Sequence, residues 1–350
     1  MTQSNMAGRA QTVLGPVAPD ELGITMMHEH LLLDLRRFFR EPEDPDERAM
    51  SQAPVDLDTL SWVFMNWSAS LDNLVLSDPD LAADEAGIFK EAGGGTLVDV
   101  TSVGLGRDPL ALRGIAEKTG LHIVMGSSYY LAPYHPPDMD EKTEDDICAE
   151  IVRDITEGVD GTGVRAGIIG EVGCSWPLEA NEAKALRASA RAQRETGAPL
   201  SIHTGLHVDS SFEILDVLDE AGADIERVIM GHMERTRLDR EGLLRLLRLG
   251  CYVEFDWFGE VRPTYPSGIV EVPSDSERIK TIAFLIGEGF GEKIVVSQDV
   301  CLKARLASYG GPGYAHIVKY VRTWMRELGI RPAEIDDLVI GNPRRILQFA

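Results

Sequence analysis

The chain has 350 residues, of which 44% are hydrophobic, so it can bury a sizeable core in one large domain or two ordinary ones. Its 34 Lys and Arg residues face 57 Asp and Glu residues, and the resulting net charge of −23 predicts repulsion from nucleic-acid phosphates and anionic lipid surfaces. We therefore expect no nucleic acid and no membrane as partners, and a small-molecule substrate, which a local metal or arginine could bind even if it were anionic.

Eight short runs of β-branched or aliphatic residues predict strands. In chain order they are residues 24–30, 95–101, 122–126, 166–171, 199–203, 228–232, 252–255 and 294–297. Helical patterns lie between them at residues 109–118, 144–157, 182–196, 211–221, 240–249 and 276–288. Strands that alternate with helices predict a parallel sheet covered by helices, and eight such units favour an α/β fold of the (β/α)₈ TIM-barrel type over an open sheet.

We expect residues 1–350 to form a single barrel domain, with a short N-terminal segment (about 1–22) and a C-terminal helical extension (about 331–350). The polar stretch at residues 37–54 is rich in Pro, Asp and Glu and is expected to be a loop near the barrel mouth, followed by a helix. The first predicted strand–helix turn lacks a G-x-G-x-x-G motif, which weakens a dinucleotide-binding alternative.

The chain contains no indication of export or membrane insertion. Its four cysteines are scattered without a C-x-x-C pair, which argues against a disulfide framework or a zinc ribbon. The first residues lack an apolar signal core, and no run approaches the roughly 18 apolar residues of a membrane span. We therefore expect a cytoplasmic protein, and a homodimer as the commonest oligomeric state.

The first predicted strand ends in the sequence His28-Glu29-His30. Because residues i and i+2 of a strand point to the same face, both histidines are expected to face the barrel interior and Glu29 to point away from it. Two imidazoles on one face make half of a zinc-type site. The same pattern also occurs where neither histidine binds a metal. The residues at the other strand ends are therefore needed to choose between a ligand pair and two ordinary histidines.

Four further predicted strands end in a histidine or a carboxylate: Glu171, His203, His232 and Asp299. The active sites of TIM barrels lie at the carboxyl ends of their strands, so these side chains are expected to converge. Buried histidines need polar partners, which makes a passive core role for all of them implausible. The six residues together predict a metal site.

Six ligands exceed the needs of one tetrahedral zinc with an open position, and they suit two divalent metals bridged by a carboxylate and a hydroxide. Glu171 is the expected bridging carboxylate. Zinc is the expected metal, and manganese, cobalt and iron accept the same ligand set. Asp299 is the expected catalytic residue, because it could bind one metal and accept the proton of the attacking water.

Four side chains after the strand ends are candidates for substrate binding: Tyr130, Arg235, Lys303 and Arg305. Tyr130 would either line the pocket or pack in the core. Each basic residue would either bind an acidic end of the substrate or form a salt bridge. The sequence alone leaves these alternatives open.

The chain resembles the phosphotriesterase family of the amidohydrolase superfamily over nearly its whole length. The matching segments include residues 12–17, 27–30, 99–101, 106–108 and 342–345. The resemblance implies a (β/α)₈ barrel with a binuclear site, in which His28, His30 and Asp299 hold the buried metal. It implies that His203 and His232 hold the more exposed metal.

One position departs from the best-known members, which hydrolyse organophosphates and bridge their metals with a carboxylated lysine. Glu171 stands at that position here, which predicts only a weak phosphotriesterase side activity. Residues 167–178 and 305–314 resemble a narrower branch, the phosphotriesterase-related proteins, which is similar to amidases that cleave small N-acyl compounds such as N-acetyltaurine. The resemblance therefore implies a metal-dependent hydrolase that cleaves small N-acyl amines or amino acids by attack of a metal-bridging hydroxide.

Other functions use the same residues. A lactonase or carboxylic ester hydrolase needs the same hydroxide and is the main alternative. A metal-dependent aldolase would need only one metal, and a non-catalytic ligand-binding barrel would not need six ligands. The resemblance favours the amidase.

Overall fold

A computed structural model of the protein describes residues 6–236, 239–262, 264 and 271–350. Its strands, in chain order, are β1 (Ala10–Thr12), β2 (Gly15–Val17), β3 (Ile24–Glu29), β4 (Leu33–Asp34), β5 (Val75–Leu76), β6 (Gly94–Asp99), β7 (His122–Ser127), β8 (Ile168–Gly173), β9 (Leu200–His203), β10 (Val228–Met230), β11 (Tyr252–Phe255) and β12 (Ile294–Val296). Eight of them form one sheet in the order β3, β6, β7, β8, β9, β10, β11, β12, and every neighbouring pair in it is parallel. The short pairs β1–β2 and β4–β5 are antiparallel.

The sheet is nearly closed, because its first and last strands meet at their carboxyl ends. The backbone N–H of Asp299 donates to the carbonyl of His28 at 3.1 Å. The N–H of His28 donates to the hydroxyl of Ser297 at 3.0 Å. The predicted barrel is thereby confirmed, and its closure brings the ends of β3 and β12 side by side.

Helices surround this sheet. They are α1 (Pro45–Gln52), α2 (Leu60–Met65), α3 (Pro79–Glu91), α4 (Pro109–Thr119), α5 (Glu144–Thr156), α6 (Ala180–Thr196), α7 (Ser210–Glu220), α8 (Arg240–Arg248), α9 (Asp275–Gly287), α10 (Arg322–Glu327), α11 (Pro332–Asp336) and α12 (Asn342–Leu347). Three of them begin with an Asp-Pro pair, in which Asp44, Asp78 or Asp108 accepts hydrogen bonds from backbone N–H groups of the first turn. Gly120 and Gly197 end α4 and α6 in the left-handed conformation that glycine adopts without strain.

All eight predicted strands and all six predicted helices are present, with ends that agree to within two residues. The expectation of a loop over residues 37–54 was wrong in part, because α1 lies inside it. Asp44 caps this helix and Pro45 occupies its first position, so a composition typical of loops also starts a helix here. Helix α3 was not predicted.

The barrel strands are buried on both sides, as the continuous apolar runs in β10 and β12 predict. The C-terminal segment is tied to the barrel by the side-chain amide of Asn342, which donates to the carbonyls of Gly291 at 2.8 Å and Ile294 at 2.5 Å. Across the described residues, none of the helices combines the length and the apolar character that crossing a bilayer requires.

Candidate metal centre

Four histidines converge on Glu171 at the carboxyl ends of the barrel strands. Its Oε2 lies 2.8 Å from Nδ1 of His203, 3.4 Å from Nε2 of His28 and 3.5 Å from Nε2 of His232. Its Oε1 lies 3.4 Å from Nε2 of His30. The structure therefore places Glu171 between two pairs of imidazoles that come from opposite sides of the barrel.

Asp299 completes the group of six predicted ligands. Its Oδ1 lies 3.4 Å from Nε2 of His30, and its Oδ2 accepts a hydrogen bond from the indole N–H of Trp257 at 3.0 Å. Asp299 and His232 both have a left-handed backbone, with φ of +49° and +58°. Such conformations cost non-glycine residues about 1–3 kcal/mol, and they persist where the surrounding structure requires a side chain in a particular place.

The cluster fits divalent metal ions. His28, His30 and Asp299 each offer a ligand atom within 4.8 Å of the others, as do His28, Glu171 and His232. Nε2 of His28 is buried and has no hydrogen-bond partner among the described residues. Oε2 of Glu171, 3.4 Å away, is too far for a good hydrogen bond, and a metal ion held by both side chains would satisfy this nitrogen. Imidazole and carboxylate are also the ligand types that zinc and similar metals prefer.

The close packing of carboxylates and imidazoles shifts the pKa values of the cluster. Burial would raise the pKa of Glu171, but the imidazoles of His203 and His28 hold it well below its usual range. Burial and the Arg235 guanidinium lower the pKa of His203 well below its usual value. Glu171 is therefore a carboxylate and His203 a neutral imidazole, the forms in which both side chains bind metals. The pKa values of His28, His30 and His232 are raised despite burial, because carboxylates lie beside each ring.

Two carboxylates on β11 and just after it orient the ligand histidines, and the sequence analysis missed both. Asp256 accepts hydrogen bonds from the backbone N–H and from Nδ1 of His232, each at 2.8 Å. Glu254 lies 3.4 Å from Nδ1 of His28. With Nδ1 engaged in this way, each histidine turns its Nε2 towards Glu171.

Glu29 points away from the cluster, as predicted, and organises the loop that carries Asp299. Its Oε1 accepts hydrogen bonds from the hydroxyl of Ser297 at 2.7 Å and from both the backbone and the side chain of Gln298, at 2.9 and 2.8 Å. Its Oε2 accepts the N–H of Val300 at 2.9 Å. The buried carboxylate thus holds the residues on either side of Asp299 in place.

An open cavity lies directly against the cluster. Five ligands contribute to its walls: His30, Glu171, His203, His232 and Asp299. The remainder of the lining is largely apolar and aromatic, and it includes Leu33, Leu35, Phe38, Trp67, Leu105, Tyr130, Trp257 and Leu302. A largely apolar wall with a few polar groups suits a small organic substrate.

The four predicted substrate-binding residues separate into two groups. Tyr130 and Arg235 line the cavity, and the Tyr130 hydroxyl lies 3.4 Å from Nε2 of His203. Arg305 also reaches the cavity wall, but it is buried and paired with Glu260.

Lys303 is placed away from the cavity. Its ammonium group pairs with Asp72 and lies 5.8 Å from the centre of the Tyr309 ring, on a different face of the loop after β12. Of the two alternatives left open for Lys303, the structure shows the salt bridge, and Lys303 is not part of the lining of this cavity. The partner that holds it is 231 residues away in the chain, beyond the reach of a local pattern.

The fold and the ligand cluster together define a (β/α)₈-barrel protein with a candidate metal centre at the carboxyl ends of its strands. The Phosphotriesterase family profile matches residues 8–347, and the chain belongs to this family of metalloenzymes. The family membership predicted from the sequence is confirmed.

Individual relatives resemble the chain over its full length. An N-acetyltaurine hydrolase from Salmo salar is 40% identical over 348 residues, which cover 99% of each chain. A resiniferatoxin-binding protein from Rhodobacter sphaeroides has a similar structure, with a TM-score of 0.94, 37% identity, and coverage of 99% of this chain and 98% of that one. A lactonase from Listeria monocytogenes has a TM-score of 0.79 and 26% identity, with coverage of 98% of this chain and 99% of that one.

Proposed function

We propose that this protein is a binuclear metal-dependent amidase that hydrolyses small N-acyl amines or amino acids bearing an acidic group, with N-acetyltaurine as the first candidate. The observation that carries the proposal is the convergence of four histidines on Glu171 beside an open cavity. The N-acetyltaurine hydrolase from Salmo salar, 40% identical along 99% of both chains, supports the substrate class.

The ligand set divides between two divalent ions, with zinc as the first candidate. His28, His30 and Asp299 would hold one ion, and His203 and His232 would hold the other. Glu171 lies within 3.5 Å of all four imidazoles, which suits a ligand shared by both ions. Bound there, the metals would supply an activated water and withdraw electron density from the acyl oxygen.

Asp299 is the residue proposed to move the proton. Burial would raise its pKa, but His30 and the other neighbouring imidazoles hold it far below its usual range, so the side chain is a carboxylate. In the proposed reaction the water oxygen bonds to the acyl carbon and Asp299 takes the proton that the water loses. The carbon–nitrogen bond then breaks and Asp299 returns that proton to the leaving nitrogen, which gives a free acid and a free amine.

Lactone or carboxylic ester hydrolysis is the second candidate. The similarity to a lactonase from Listeria monocytogenes, with a TM-score of 0.79, favours it specifically. These leaving groups need less help from a proton donor than an amine does, so the same cluster would serve. Phosphotriester hydrolysis is proposed only as a weak side activity.

The test is a substrate panel applied to metal-reconstituted protein. The panel contains N-acetyltaurine, N-acetyl and N-formyl amino acids, lactones, aryl esters and an aryl phosphotriester, and the release of amine, acid or phenol is measured. We expect kcat/KM to be highest for one class of N-acyl compound. Turnover of lactones or esters without any N-acyl compound would replace the amidase by the second candidate.

A further inference from the structure

A cluster of two arginines and one glutamate forms part of the cavity wall beyond the metal ligands. Arg262 donates to Glu260 through Nε at 2.9 Å and through a second nitrogen, and Nη1 of Arg305 donates to Glu260 at 3.0 Å. All three residues line the cavity that opens onto the ligand cluster. Two positive charges therefore share one negative charge, which leaves this wall with a surplus of one positive charge.

Glu260 carries its full charge in this cluster. Burial would raise its pKa, but Arg262 and Arg305 lower it to about 2. The surplus positive charge stands out because the chain as a whole has a net charge of −23. A positively charged wall inside an acidic protein favours the binding of an anion in that pocket.

The two arginines differ in their hydrogen bonds to the rest of the protein. Nη2 of Arg305 donates to the carbonyls of Phe258 at 3.1 Å and Gln298 at 2.7 Å, and its side chain is 7% exposed. These contacts make Arg305 a fixed support for the loop after β12. Its role is to hold Glu260 rather than to meet a ligand.

One guanidinium nitrogen of Arg262 makes no hydrogen bond within the described part of the chain. This nitrogen, Nη1, is buried. The guanidinium of Arg262 lies 5.6 Å from the centre of the Trp67 ring, and Glu260 holds its opposite edge. Glu260 and Trp67 therefore orient the guanidinium in advance at the cavity wall.

Arg235, the other arginine in the cavity, has a different position. It lies inside the ligand cluster, where it contacts Nε2 of His203 at 2.5 Å and donates to the carbonyl of Thr204 at 2.9 Å. Its guanidinium also lies 5.6 Å from the centre of the Trp257 ring. These contacts fit a residue that supports a metal ligand, so the recognition of a substrate charge falls to another residue.

We infer that Arg262, oriented by Glu260 and Trp67, binds the acidic group of the substrate and makes the enzyme selective for N-acyl compounds that end in a sulfonate or carboxylate. The inference rests on the proposed amidase function for the identity of the reaction, but not for the binding of the anion. Because Nε and a second nitrogen of Arg262 already donate to Glu260, the rest of the guanidinium would donate to an oxygen of either group. The apolar side chains of Leu33, Leu35 and Phe38 would contact the short carbon chain between the acidic group and the amide.

The test compares Arg262→Gln and Arg262→Lys with the unmodified protein on a matched pair of substrates. N-acetyltaurine carries a sulfonate, and N-propylacetamide replaces it with a methyl group. In Arg262→Gln the ratio of kcat/KM for the anionic over the neutral substrate should fall about tenfold to a hundredfold, chiefly through KM. Arg262→Lys keeps the charge and should retain part of the ratio.

The matched control is Arg245→Gln. Arg245 is exposed on α8 and lies 4.6 Å from the centre of the Phe212 ring, so it reproduces the arginine-over-aromatic contact at a distance from the cavity. In Arg245→Gln the ratio of kcat/KM for the anionic over the neutral substrate should equal that of the unmodified protein. An unchanged ratio in Arg262→Gln, or an equal fall in Arg245→Gln, would overturn the assignment of Arg262.

A binding measurement separates this inference from the proposed function. The affinity of the metal-loaded protein for propane-1-sulfonate, measured by calorimetry, should weaken at least tenfold in Arg262→Gln and stay unchanged in Arg245→Gln. If no N-acyl compound is hydrolysed, the proposed function fails while this result still supports the anion site. If the unmodified protein does not bind the sulfonate, or if Arg262→Gln binds it equally well, the anion site is excluded.

Discussion

Asp256 accepts two hydrogen bonds from His232, one with each of its carboxylate oxygens. Oδ2 accepts the backbone N–H and Oδ1 accepts Nδ1–H, each at 2.8 Å, and both residues are buried. The interaction fixes the tautomer of the ring, so the nitrogen with the free electron pair is Nε2, which lies 3.5 Å from Glu171. Asp256 is therefore a positioning residue for a candidate metal ligand.

We predict that Asp256→Asn weakens metal binding and lowers kcat/KM, each by about tenfold to a hundredfold, because the loss of such partners costs that much in other metal sites. Competition with a chelator measures the affinity, and metal analysis measures the content. Asp216→Asn is the matched control, because Asp216 is exposed on α7. Equal metal affinities in both variants would contradict the positioning role of Asp256.

Glu171→Ala tests the bridging assignment. We predict fewer than two bound metals per chain and loss of hydrolysis, because Glu171 is the carboxylate within 3.5 Å of all four ligand histidines. Metal analysis after dialysis gives the stoichiometry. Two metals per chain in the variant would remove Glu171 from the bridging position, whatever happened to the activity.

Trp257→Phe tests how Asp299 is held. The substitution removes the indole N–H that donates to Oδ2 of Asp299 at 3.0 Å, and it retains an aromatic ring beneath Arg235. A hydrogen bond to a charged group is worth about 1.5–3 kcal/mol, so we predict a fall in kcat of roughly tenfold to a hundredfold with two metals still bound. Trp324→Phe, on the partly exposed surface, should leave kcat unchanged. A normal kcat in Trp257→Phe would show that Asp299 needs no such support.

The barrel and the convergence of the candidate ligands were predictable because both depend on short-range patterns. A strand that is buried on both sides is a continuous apolar run, and the residue that ends the run marks the catalytic edge of the barrel. This reasoning found His203 and His232 without knowledge of any contact. It also predicted the opposite directions of His28 and Glu29, because strand geometry has a period of two.

The same period could have identified Glu254 and Asp256. They stand two residues apart at the end of β11 and thus share a face, as His28 and His30 do at the end of β3. Two carboxylates on one inward face of an apolar strand need partners, which is a signal for positioning residues. That signal was missed because the prediction ended this strand at Phe255.

Contacts between loops could not be predicted in this way. The pairing of Lys303 with Asp72 joins two loops far apart in the chain, and the pairing of Glu260 with Arg305 joins the loops after β11 and β12. Neither pair follows a local period. The choice between a substrate-binding and a structural arginine depends on such contacts, so it required the structure.

The pairing of Glu260 with two arginines also makes a prediction about stability and pH. The pKa of this buried carboxyl is about 2 in the folded protein against about 4.5 ordinarily, a difference worth about 3 kcal/mol. Because the folded state lowers the pKa, the stabilisation is fully present above pH 4.5 and is lost as the pH falls towards 2. Glu260→Gln should therefore lower the free energy of unfolding by about 3 kcal/mol at pH 7, and its difference from the unmodified protein should shrink below pH 4.5. Urea unfolding at several pH values measures the free energies of unfolding of the two proteins. If the difference between these free energies stayed constant down to pH 3, the carboxylate charge of Glu260 would contribute nothing to folding.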